Sequence, residues 1–114
     1  MFINEEILND KSVALLTIEG EFWENEWSLH EKVKRLIERK ITNIVVDFSN
    51  SKRINSQGIG VLVSCLTSLR DAGGNLKIAG AGKGILDLLS LLNLYTIVES
   101  FETAEEAVAS FQTV

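Results

Sequence analysis

Apolar and polar positions follow two different periods along this chain, and the switches between them mark its elements. Residues 2–9 and 12–20 read as two strands joined by a tight turn at Asn9-Asp10-Lys11; Val13, Leu15 (with Leu16), Thr17 and Ile18 support the second, and Gly20 closes it. After the loop Glu21-Phe22-Trp23-Glu24-Asn25 a helix is expected from about residue 25 to 39. Its Leu29, Val33, Leu36 and Ile37 face inward, with Glu31, Lys32, Lys34, Arg35 and Glu38 outward. At 43–48 the β-branched run Ile44, Val45 and Val46 suits a covered third strand. Helix spacing returns over 57–71, where Ile59, Leu62, Val63, Leu66 and Leu69 recur, and Asp71-Ala72-Gly73-Gly74 gives a glycine stop. Leu76-Lys77-Ile78-Ala79 is a fourth strand, 83–92 a leucine-rich helix, and Thr96-Ile97-Val98-Glu99 a last short strand. The final helix, 103–111, opens with Thr103 and Glu106 at capping-box spacing and carries Ala104, Ala107, Val108 and Phe111 as a modest apolar face.

Strands alternating with helices predict an α/β fold: a βαβ sheet of four to five strands, mostly parallel, with about four helices packed on it. The opening hairpin adds an antiparallel element. Ile85, Leu86, Leu88, Leu89, Leu91 and Leu92 exceed one core-facing stripe, so some of these leucines are expected to be exposed or to meet a partner; a monomer or a weak dimer is compatible with that. With no proline, no linker and no repeat, residues 1–114 read as a single domain.

Composition narrows the function. Hydrophobic residues make up 46% and charged residues 24%, ordinary values for a soluble globular protein, and the net charge of −5 argues against a nucleic-acid footprint, which needs a clustered basic face. One cysteine excludes an internal disulfide and a cysteine-based zinc cage. Glu5, Glu6, Asp10 and Lys11 interrupt any signal-like apolar stretch, and polar residues break the longest uncharged segment, Ile54 to Leu69, so no membrane insertion is expected. The chain is expected to be cytoplasmic and complete in itself.

Catalytic chemistry finds little support. His30 is the single histidine and falls within the first helix; Cys65 shares a helix face with Val61, Ser64 and Ser68, as a buried structural thiol would. Gly80-Ala81-Gly82-Lys83-Gly84 invites comparison with a phosphate-binding loop. However, Lys77 stands where the first glycine belongs, Gly84 where Ser or Thr is needed, and Ile85 at the third glycine of a dinucleotide pattern. No metal and no cofactor is expected. Trp23, set among Glu21, Glu24 and Asn25, is a candidate binding anchor, whereas Trp27 reads as cover for the core edge.

The stretch from Asp47 to Leu62 organises the rest. It reads as a strand end, a short polar loop, and a helix whose N-cap position falls at Ser56. The carboxyl end of a parallel strand is where α/β folds place their sites, and Gly58 and Gly60 leave the first helical turn bare. A phosphate or other anion is well tolerated at such a helix start.

Asp47-Phe48-Ser49, Ile54-Asn55-Ser56-Gln57-Gly58-Ile59-Gly60-Val61-Leu62 and Ala72-Gly73-Gly74-Asn75-Leu76 together resemble the STAS family, specifically bacterial anti-sigma-factor antagonists. The resemblance runs over nearly the whole chain, including Gly20-Glu21 and Leu89 to Leu94, and implies a single STAS-like domain. It implies a non-enzymatic partner switch. The unmodified antagonist binds an anti-sigma factor that is also a serine kinase with a histidine-kinase-like ATPase fold, and the sigma factor is released. Phosphorylation of the serine corresponding to Ser56 ends the complex, and a serine phosphatase acting on phosphorylated Ser56 resets it. ATP belongs to the kinase. On this reading the partner-binding residues are Trp23, Asn55, Ser56, Gln57, Gly58 and Ile59. The family's usual Asp-Ser-Ser-Gly is Asn55-Ser56-Gln57-Gly58 here: Asn55 loses a carboxylate but keeps a short polar side chain, and Gln57 removes the second hydroxyl. The alternative within the same family is a cytoplasmic accessory subunit of a membrane lipid-transport ATPase.

Overall fold

The computed structural model describes residues 2–8, 12–20, 28–51 and 53–111. Five strands, β1 (Phe2–Leu8), β2 (Val13–Glu19), β3 (Asn43–Asn50), β4 (Asn75–Ala79) and β5 (Glu99–Phe101), form one sheet in the order β1-β2-β3-β4-β5. β1 pairs antiparallel with β2, and the other three pairings are parallel. The helices are α1 (Ser28–Glu38), α2 (Ser56–Asp71), α3 (Lys83–Leu91) and α4 (Ala104–Ser110). The expected hairpin turn at Asn9-Asp10-Lys11, the start of the first helix at 25–27, and both Trp23 and Trp27 lie outside the described residues.

Alternation along the strands divides the interior in two. Ala14, Leu16 and Ile18 of β2, Ile44, Val46 and Phe48 of β3, and Leu76 and Ile78 of β4 point to one face. There they join Leu29, Val33 and Leu36 of α1, Ile59, Leu62, Cys65, Leu66 and Leu69 of α2, and Ile85 and Leu89 of α3 in the main core. The intervening residues Val13, Val45 and Ala79 face the other way, under Ala107 of α4. A sheet covered on both faces explains why Ile44-Val45-Val46 is unbroken in hydrophobicity.

The smaller face holds an unusual tenant. Lys77, in the middle of β4, is only 7% exposed. Its ammonium donates to Ser110 Oγ at 2.8 Å, lies 3.7 Å from Glu99 Oε1, and sits 4.3 Å from the centroid of the Phe111 ring. A buried cation needs such partners, and together they fasten the end of α4 to the sheet.

Helices α1, α2 and α3 end alike. In each, a residue of positive φ (Lys40, Gly73, Asn93) follows the cap, and the next amide bonds back to the third residue from the helix end: Ile41 to Leu36 O, Gly74 to Leu69 O, Leu94 to Leu89 O, each at 2.8 Å. The last strand is displaced from its expected place. Thr96-Ile97-Val98 belong to a turn, with the amides of Ile97 and Val98 both donating to Leu94 O, and pairing with β4 begins only at Glu99.

Candidate functional site: the start of helix α2

The main-core strand β3 delivers its chain end to the carboxyl edge of the sheet. Phe48, 1% exposed, is its last buried residue; the chain then turns, Ser51 N donating to Phe48 O at 3.0 Å, and reaches α2 through Arg53, Ile54 and Asn55. Asp47 Oδ1 accepts from Ser49 N at 2.9 Å and braces the turn. Gly80, with φ +65°, fits against this brace: a Cβ there would meet Asp47 Oδ1 at 2.8 Å and Ser49 N at 2.9 Å. The glycine that suggested a phosphate loop is therefore a packing requirement of the β3 turn.

The helix cap corrects the sequence expectation by one residue. Asn55, in extended conformation, is the N-cap, and its Oδ1 accepts from Gly58 N at 2.7 Å. Ser56 is the first helical residue, not the cap. Asn and Ser cap equally well, so residue type could not choose between adjacent positions. The consequence is chemical: with the cap made by Asn55, the exposed Ser56 hydroxyl has no hydrogen-bond partner among the described residues.

Gln57 is exposed beside it, while Gly58 and Ile59 are buried and support the turn from beneath. Gly60 is exposed, and a Cβ on it would meet nothing within 4 Å. Its absence of side chain serves no internal packing. The first turn of α2 carries no acidic side chain, so the positive helix end is not neutralised by its own residues. The loop also holds Ser51, 2% exposed, whose hydroxyl is the one buried side-chain oxygen without a hydrogen-bond partner among the described residues; nothing in the sequence pattern marks it.

Replacing Asn55 with alanine is expected to cost about 1 kcal/mol of stability, measured by urea unfolding, while Asn55→Asp keeps the cap and stays within about 0.5 kcal/mol of the parent. An Asn55→Ala chain as stable as the parent would remove Asn55 from the cap.

The other candidates are placed apart from this turn. Cys65 Sγ lies 3.8 Å from His30 Nδ1 between α2 and α1, and burial pushes its thiol up to about 12, so it stays a neutral thiol at physiological pH rather than a nucleophile. Among the described residues no three His, Cys, Asp or Glu side chains gather as a metal site, and no helix is long and apolar enough to cross a membrane. Leu86, Leu91 and Leu92 are exposed, as the leucine excess suggested, together with Tyr95 and Ile97.

The family model described as STAS domain matches residues 6–107. The chain belongs to the STAS family. Comparison with curated proteins gives no match. Among solved structures, a Thermotoga maritima protein provisionally assigned as an anti-sigma factor antagonist is 26% identical, with TM-score 0.86 over 97% of this chain and 95% of that one. SpoIIAA, described as an anti-sigma factor antagonist and solved in its unphosphorylated form, is 14% identical, with TM-score 0.73 over 99% and 100%. The Bacillus cell fate determinant SpoIIAA in its phosphorylated form is 16% identical, with TM-score 0.76 over 96% and 99%. The SpoIIAA likenesses concern the fold alone. A five-stranded, mostly parallel sheet with four helices is thus the STAS architecture, as the resemblance implied.

Proposed function

We propose that this chain is an anti-sigma-factor antagonist working by partner switching. It binds an anti-sigma factor that is also a serine kinase of histidine-kinase-like ATPase fold, frees a sigma factor, and is switched off by phosphorylation at Ser56. The observation that carries the reading is the exposed Ser56 hydroxyl at the first position of α2, left unoccupied because Asn55 makes the cap. Membership of the STAS family and the likeness to the Thermotoga maritima protein support it. The two SpoIIAA forms supply the analogy for phosphorylation.

The physics of the switch follows from the site. A phosphoserine adds about −1.5 to −2 charges at neutral pH. In the free chain that charge meets the uncompensated positive end of α2 and is well tolerated. In a tight interface the same charge must be desolvated, and the complex weakens. Gly60 leaves the helix surface open beside Ser56, so a partner backbone can approach closely. On this reading ATP is brought by the kinase, and a serine phosphatase restores the unmodified form. The whole cycle fits the cytoplasm.

Wild type and Ser56→Asp are expected to have melting points equivalent to within about 0.5 kcal/mol of stability. As baits in a native lysate, they should differ: wild type retains a kinase-like ATPase, and Ser56→Asp binds it at least tenfold more weakly, about 1.4 kcal/mol. Equal affinity of the two baits refutes the switch. Membrane lipid-transporter subunits held by both baits would favour the accessory-subunit reading and leave Ser56 as part of a helix start only.

A further inference from the structure

The face of the sheet that carries α4 is only partly covered. α4 packs on Val13, Val45 and Ala79, leaving beside it a groove of about 370 Å³. Leu8 of β1 and Leu15 of β2 form its floor, Val108 and Ala109 of α4 its wall, and Glu6 and Glu105 also line it. Leu8, Leu15 and Val108 are each half-buried, so the apolar surface is present but not closed off. Glu6 stands directly across from Leu15 in the antiparallel pairing, on the face away from Glu5, whose carboxylate reaches Lys32 and Arg39.

Among the described residues, the exposed charge around this groove has one sign. Glu105 and Glu106 occupy the first turn of α4, and Glu102 lies just before it. Among the described residues, α4 and the strand positions beneath it supply a single lysine or arginine, Lys77, which is buried and already faces Glu99. A groove with an apolar floor and carboxylates at its sides complements a segment whose apolar anchors are flanked by cations. We propose that the β1–β2–α4 groove docks a basic amphipathic segment of another protein. Its leucine-like side chains rest on Leu8, Leu15 and Val108, and its lysines or arginines meet Glu6 and Glu105. Because α2 packs on the opposite face of the sheet, this surface is separate from the Ser56 turn and leaves that turn open to its own partner.

The probes are three fluorescein-labelled peptides of equal length, read by anisotropy with the purified chain: a helical Leu/Lys peptide, its Leu/Glu counterpart, and a Lys/Ser peptide of the same charge. The Leu/Lys peptide is expected to bind most tightly, to weaken as salt is raised, and to shift backbone amide resonances around Leu8, Leu15 and Val108. Ala109→Phe, which fills the groove from an exposed position, should weaken it roughly tenfold without changing the melting point. Should that variant not fold, Glu6→Gln with Glu105→Gln, both at exposed carboxylates, should weaken binding roughly threefold to tenfold. The proposal is overturned if the Lys/Ser peptide or the Leu/Glu peptide binds as well as the Leu/Lys peptide. It is equally overturned if the resonance shifts cluster at the first turn of α2, or if the folded variants bind the Leu/Lys peptide like the parent. Self-association of the chain that Ala109→Phe abolishes would assign the groove to a second copy and overturn it too.

Discussion

Phe48→Ala is expected to remove about 3–5 kcal/mol of folding stability, the range for truncating a fully buried aromatic side chain. Phe48 is 1% exposed and belongs to the same buried cluster as Ile59 and Leu62 of α2. It is the last core residue of β3 before the chain turns toward Ser56, with Ser51 N donating to its carbonyl. Domains of this size hold only about 5–15 kcal/mol in total, so the variant should sit close to its unfolding midpoint under mild denaturant. Phe48→Leu keeps most of the volume and should cost less than about 1.5 kcal/mol. Urea unfolding of the two variants, with unchanged denaturant slopes, tests the contrast. A Phe48→Ala cost below about 1 kcal/mol would mean that the strand end does not rest on the main core. The turn that presents Ser56 would then need another support.

The site was legible in the sequence as a place but not as a geometry. The apolar β-branched run of β3 and the spacing of Ile59, Leu62, Leu66 and Leu69 put a strand end and a helix start on either side of a polar loop, and the structure keeps that arrangement. The one-residue error at the cap arose because Asn55 and Ser56 have the same local preference; what separates them is that Asn55, not Ser56, is placed to reach the amide of Gly58. Similarly, Thr96-Ile97-Val98 has strand propensity, yet the turn that closes α3 claims the amides of Ile97 and Val98, and Arg70 Nη2 donates to the Ile97 carbonyl at 2.8 Å. Strand preference is a preference for a half-buried pleated surface, and tertiary pairing chose Glu99–Phe101 instead.

Two features had no local signal at all. Both faces of β3 are buried, so its unbroken run says nothing about which helix lies on which face; among the described helices it is α4 that covers the second. Nothing in the strand Leu76-Lys77-Ile78-Ala79 marks Lys77 as buried. Its burial depends on Ser110 and Phe111, more than thirty positions later, which no window of sequence connects to it.

Gly73 and Gly74 look equivalent in the sequence, and their replacement should separate them sharply. Gly73 has φ +90°, which the helix stop requires, but a Cβ there meets nothing within 4 Å. Gly73→Ala should therefore cost about 1–2 kcal/mol, the penalty for holding an L-residue in the left-handed region. Gly74 has no such φ. Its amide bonds to Leu69 O, and its own position lies against the start of β3, where the Thr42 carbonyl accepts from Asn75 N at 3.0 Å. A Cβ at Gly74 would overlap that Thr42 carbonyl group, which is backbone and cannot swing aside. Relief requires β4 to move away from β3 at the pair Asn43 and Asn75, where their register begins. Gly74→Ala is accordingly expected to cost about 3 kcal/mol or more, at the upper end of overpacking effects. Urea unfolding of the two alanine variants side by side decides the matter. If Gly74→Ala costs no more than Gly73→Ala, the second glycine serves only the helix stop, and the close approach of β4 to β3 is not what holds it in place.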